Sequence, residues 1–126
     1  MKRIVLSLTA LCLLISAPVV AAEKEKKTYP APHAAAPNVY KELFDHERVR
    51  VSEIKFNPGD KAAMHTHPYA HVVYVIEGGE LTISYPEGPP KVVDVKAGDV
   101  LYMPAETHEA VNTGKTVLRA TVTELK

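Results

Sequence analysis

Four histidines carry the chemistry that this chain can most readily offer. Three fall within His65-Thr66-His67-Pro68-Tyr69-Ala70-His71, between Gly59 and Gly78, and the fourth, His108, lies well downstream. Neutral imidazole is the commonest metal ligand. In a His-x-His pair on a strand, both rings project to the same face, because side chains alternate with period two. Competing chemistries have little to work with. The serines beyond residue 22 are Ser52 and Ser84, neither in a G-x-S-x-G elbow, and the one cysteine, Cys12, lies in the N-terminal apolar run. No phosphate-binding glycine motif occurs. Glu106 and Glu109 flank His108 and offer an acid–base pair that needs no metal, against the plainer reading of two solvated carboxylates. Tyr69, Tyr74 and Tyr102 could donate a proton or simply pack. His46, between Asp45 and Glu47, reads as a solvated turn residue, and Gly59, Gly78 and Gly98 read as turn formers.

The elements that must hold these histidines are short strands. Arg48-Val49-Arg50-Val51 alternates polar and apolar, and the change of parity by Ile54 and Phe56 predicts a bulge or bend near Ser52. His71 to Glu77 and Glu80 to Tyr85 flank Gly78-Gly79, which predicts a tight hairpin. Further strands fit Lys91 to Val95, Asp99 to Met103 and His108 to Asn112, and in the last strand Leu118, Ala120 and Val122 share a face. No window reads as a long amphipathic helix. Some eight short strands at close intervals imply an all-β sandwich or barrel. By parity Val73 and Val75 accompany His71, and Ala110 and Asn112 accompany His108, so the histidines are expected to sit in an apolar surround.

Ahead of the strands comes a segment of different character. Lys2 and Arg3, the apolar run Ile4 to Ile15 and the small residues of Val20-Ala21-Ala22 have the layout of a signal peptide cleaved after Ala22, which places the mature chain in the periplasm or outside the cell. The run is shorter than the ~20 residues of a spanning helix, so no lasting membrane anchor is expected. Cys12 would leave with it, and disulfides and thiolate ligands with Cys12. The whole chain carries 15 basic and 15 acidic residues; loss of Lys2 and Arg3 leaves a small acidic excess, and no basic footprint for nucleic acid. Residues 23–38, with three prolines and four alanines from Thr28 to Pro37, read as an extended linker in which His33 is solvated. Residues 39–126 then form one domain.

The two histidine segments resemble the paired motifs of the cupin family, G-x5-H-x-H-x3-E-x6-G and G-x5-P-x-G-x2-H-x3-N, over residues 39–126. Gly59, His65, His67 and Gly78 match the first, with His71 where the family has glutamate or glutamine; Gly98, Pro104, His108 and Asn112 match the second. Glu106 replaces the second motif's glycine and His108 comes one residue early, so a bulge or altered turn must restore its direction. The resemblance implies a double-stranded β-helix, or jelly-roll, barrel with a divalent transition metal held by His65, His67, His71 and His108. His71 either completes a four-nitrogen set or faces the substrate beside the metal. Imidazole donors suit iron, copper, nickel and zinc, iron being the leading expectation for an enzyme. Four neutral ligands leave the cation its full charge, which favours an anionic ligand. The expectation is a metal-dependent oxidoreductase of dioxygenase type acting on a small anionic or oxygenated molecule. The alternative is a module that binds a small molecule or the metal without turnover. Pairing into a homodimer is a further implication of the family.

Overall fold

The structure, a computed structural model, describes residues 27–126; the segment 1–22 expected to be a signal peptide and the start of the expected linker fall outside the described residues. A single helical turn, α1 (Pro32–Ala35), precedes nine strands: β1 (Tyr40–Asp45), β2 (Val49–Phe56), β3 (Lys61–His67), β4 (His71–Glu77), β5 (Gly79–Ser84), β6 (Lys91–Val95), β7 (Val100–Met103), β8 (Glu106–Asn112) and β9 (Leu118–Leu125). All pairings are antiparallel and form two sheets, one in the order β1-β2-β9-β4-β7 and the other β3-β8-β5-β6. The chain crosses repeatedly between the sheets, and this winding is the double-stranded β-helix. Alternation builds each inner face: in β9, Leu118, Ala120, Val122 and Glu124 are buried while their neighbours are half-buried or exposed. Phe56 and Leu118, each 1% exposed, anchor the core between the sheets with Val75, Ala62, Ala110 and Ala120. Full burial of either large side chain is worth roughly 2–3 kcal/mol.

Three sequence expectations need correction. Gly78-Gly79 does not make a hairpin. β4 pairs with β7 and β9, whereas β5 pairs with β6 and β8, so the dipeptide carries the chain from one sheet to the other. Neither glycine has a positive φ. Gly78 is required for a different reason: a Cβ there would stand 2.4 Å from the Val95 carbonyl oxygen and 2.9 Å from Lys96 Cα. β5 does pair with the strand that follows it, β6, and the two are joined through Gly88 at φ +90°.

The bulge expected near Ser52 is not on that strand. β2 runs in unbroken register with β9, with Ser52, Ile54 and Phe56 inward. The slip falls on its other neighbour, between Glu42 and Phe44 of β1. Ser52 is polar yet buried on the inward face, where His33 bonds it (Nε2 to Oγ, 2.8 Å).

That contact also corrects the reading of 23–38 as structureless throughout. Pro32 starts α1, where a missing N–H costs nothing. Pro32, Ala36 and Val39 are buried, and the Thr66 amide donates to the Pro30 carbonyl. Residues 30–39 therefore pack against the barrel beside β3, and His33 is half-buried rather than solvated.

Candidate metal centre

His65 and His67 sit on the inner face of β3, and His108 faces them from β8, where it is the register partner of His65. Sequence spacing alone had put His108 one residue out of step. The shift is taken up in the Pro104-Ala105 turn between β7 and β8, and a separate bulge lies on β3: Ala62 pairs with Ala110 but His65 with His108, so three steps along β3 match two along β8. Ala62 and His65 consequently both point inward, while β8 keeps strict alternation through His108, Ala110 and Asn112. The bulge frees the Ala63 carbonyl from the ladder, and that oxygen accepts a hydrogen bond from His65 Nδ1 at 2.7 Å.

The other rings are fixed in the same way. His67 Nδ1 donates to Glu124 Oε1 (3.2 Å), His108 Nδ1 to Glu106 Oε1 (2.8 Å) and His71 Nδ1 to the Tyr69 carbonyl (3.3 Å). Carbonyls and ionised carboxylates only accept, so each Nδ1 carries the proton and each Nε2 presents a lone pair. This is the arrangement by which outer partners orient metal-ligating imidazoles and raise their basicity. His65, His67 and His108 have donor atoms all within 4.8 Å of one another, and all three side chains are buried. The Nε2 atoms of His65 and His67 are 3.2 Å apart. Two nitrogens sharing an ion at ~2.1 Å stand ~3.0 to 3.4 Å apart, depending on the angle between them. The donor set thus fits a transition metal.

His71 is brought to the same place but held differently. It comes from β4 in the other sheet, is 2% exposed, and stacks on His67 with ring centroids 4.2 Å apart and planes 24° apart. It is not among the three whose donors mutually converge.

The electrostatics follow from burial. Desolvation, opposed by the Ala63 hydrogen bond and reinforced by the neighbouring histidines, lowers the His65 pKa to about 4. Desolvation and His67 also lower that of His71. For Glu124, 3% exposed, burial pushes the carboxyl up, but the bond from His67 and the charge of Arg50 bring it below the ordinary value. Glu106 is shifted down in the same sense by His108, against its own burial. Arg50 Nη1 lies 3.7 Å from Glu124 Oε2, an oxygen with no hydrogen-bond donor among the described residues.

Beside the histidines opens a cavity of about 660 Å³, mouth included, walled by Ile54, Phe56, Val73, Leu81, Leu101 and other apolar side chains. Glu106 is its one lining carboxylate among the described residues. Glu109 instead faces outward to Lys61, at 2.6 Å. Tyr69, Tyr74 and Tyr102 are at the surface, and the tyrosine at the centre is Tyr40, whose hydroxyl lies 3.4 Å from Nε2 of both His65 and His67. Sequence reasoning passed over both Tyr40 and Glu124. Tyr40 gave no signal, lying outside either motif. Glu124 did, because two more residues along the inward series Leu118, Ala120, Val122 lead to it, and a carboxylate on a buried face needs a partner.

A family model described as cupin domain matches residues 52–124. The chain belongs to the cupin family. Solved structures resemble this cupin across most of its length. A cupin domain from Bordetella pertussis Tohama I is 26% identical with a TM-score of 0.65, over 80% of this chain and 98% of that one. An RmlC-like cupin with a double-stranded β-helix fold from Methanocaldococcus jannaschii is 20% identical with a TM-score of 0.57, over 86% and 90%. The polyketide cyclase RemF from Streptomyces resistomycificus is 23% identical with a TM-score of 0.55, over 68% and 63%. These last two likenesses are of fold. Among curated proteins, no sequence matches this cupin.

Proposed function

We propose that this cupin holds a divalent transition metal through His65, His67 and His108, with His71 alongside, and acts as an oxidoreductase of dioxygenase type on a small anionic or oxygenated organic molecule. The observation that carries the metal assignment is the shared tautomer: every one of these rings has Nδ1 bonded to a fixed acceptor, leaving Nε2 free. Nitrogen donors suit iron first for such an enzyme, then zinc, copper or nickel. When bound, the metal supplies Lewis acidity toward a substrate oxygen and, if it is iron, reactivity toward dioxygen. The chain's own residues do the rest. Val73, Leu81 and Leu101 exclude water and lower the local dielectric, which strengthens polar contacts to a bound molecule. Glu106 holds His108 in orientation from the pocket wall. Three or four neutral imidazoles leave the cation's charge uncompensated, which favours a carboxylate or enolate partner.

Metal analysis of purified protein, with His65→Ala and His108→Ala beside it, tests the site; unchanged metal content in both variants overturns it. Oxygen uptake by iron-loaded protein across small diketones, phenols and organic acids tests the reaction. One observation favours a second reading, a binding module without turnover: among the described residues the only carboxylate in the cavity is already engaged by His108. Thermal stabilisation by such molecules with no product formed would select that reading. Export belongs to the same proposal, and the mass of the mature protein, expected to begin at Glu23, checks it.

A further inference from the structure

The metal reading leaves one polar group at the centre unused. Tyr40 is 8% exposed, and its hydroxyl touches no polar atom among the described residues except Nε2 of His65 and of His67, each at 3.4 Å. Both contacts are long for a hydroxyl donor, which ordinarily closes to ~2.8 Å. A buried hydroxyl shared between two distant acceptors is poorly satisfied. Its position makes sense in another way. Oη and the two nitrogens form a nearly equilateral triangle with edges of 3.4, 3.4 and 3.2 Å. Those are the edges expected of three donors around one ion at ~2.1 Å. The phenol therefore stands where a ligand stands.

The chain builds that placement from its N-terminal segment. α1 leads into a turn in which the amides of Val39 and Tyr40 both donate to the Ala36 carbonyl, at 3.0 and 2.9 Å. The Lys55 amide pins the Val39 carbonyl at 3.0 Å, and the His33 ring meets the Tyr40 ring edge-on with centroids 5.6 Å apart. His33 is itself tied to buried Ser52. All of this, apart from Ser52 and Lys55, lies ahead of the family-matched residues 52–124.

We propose that Tyr40 is a protein ligand of the metal, adding an oxygen to the three imidazole nitrogens of His65, His67 and His108. The inference rests on the metal reading above. Coordination to ferric iron forms one iron–oxygen bond and releases the phenolic proton to solvent, with no change of oxidation state. His71 then stands beside the coordinated set, facing the cavity.

The test uses ferric iron on the full mature protein, with metal content and visible absorption read on the same samples. Wild type should bind iron and show a phenolate-to-iron charge-transfer band; Tyr40→Phe should keep iron and lose the band. Resonance Raman excitation within the band should enhance tyrosinate ring modes in wild type, a readout that does not depend on the variant folding. Iron bound by wild type without a visible band, or a band that survives in Tyr40→Phe, overturns the proposal and leaves the histidine site intact. Wild type that takes up zinc or copper but no iron also overturns it. Failure to bind any transition metal brings down the metal reading as well.

Discussion

His65 shows at the scale of one residue what burial does to a candidate ligand. Its folded pKa of about 4 lies below the ordinary 6.5, so between those values the unfolded chain takes up a proton that the folded chain refuses. Stability of the metal-free protein should therefore be full above pH 6.5 and fall as the pH drops toward 4, by roughly 3 kcal/mol from this group. The depressed carboxyls of Glu106 and Glu124 add a second loss, starting near their ordinary 4.5 and continuing below it. Urea midpoints of chelated protein from pH 7 to 4 check this, and a flat profile would contradict it. Glu124 sets the second residue-scale prediction. Glu124→Ala strips His67 Nδ1 of its acceptor and Arg50 of a partner, and metal affinity should fall about 10- to 100-fold in a competition titration. At this scale the sequence was most legible where ligand chemistry is periodic. His65, His67 and His108 stood out by type and spacing, whereas Tyr40 was hidden because its role depends on a turn that no motif encodes.

Among the elements, the β3 bulge sets how His65 is held. It reconciles Ala62 and His65, three residues apart, on one face. Deleting Ala63 leaves Ala62 and His65 two steps apart, matching the two steps from Ala110 to His108, so both keep their inward faces, and what is lost is the carbonyl that accepts from His65 Nδ1. Metal affinity should fall about 10- to 100-fold in a competition titration while circular dichroism still reports a sheet. Gly78 makes a comparable demand where the chain changes sheets. Gly78→Ala sets a methyl against the backbone at Val95 and Lys96, and overpacking of this kind costs about 1–3 kcal/mol, read as a lower melting temperature. The parity shift near Ser52 was legible, but the strand that carries it, β1, was not. A shift of parity records that two strands disagree by one residue, and only their pairing says which of them carries the surplus. The mistaken hairpin has a similar origin. Gly-Gly between two strand-like runs fits a tight turn, and what rules it out is the company β4 and β5 keep, with partners far off in sequence.

For the whole molecule, strand number and class followed from alternation, since each inner face is written into its own strand. The N-terminal segment did not, because proline and alanine are the composition of a linker, and its order comes from contacts that lie elsewhere: Ser52 for His33, Thr66 for Pro30. The wiring of the barrel also bears on durability. His65, His67 and His108 belong to one sheet, while His71 and Tyr40 belong to the other. An ion gripped by donors from both sheets would act as a clasp across the mouth of the barrel. The sole cysteine is Cys12, so no disulfide can serve among residues 27–126. A chelator should then do to this chain what a reducing agent does to many secreted domains: lower its melting temperature, shorten its survival against protease, and let the two sheets part more often. How long a molecule lasts would be governed by the metal supply around it.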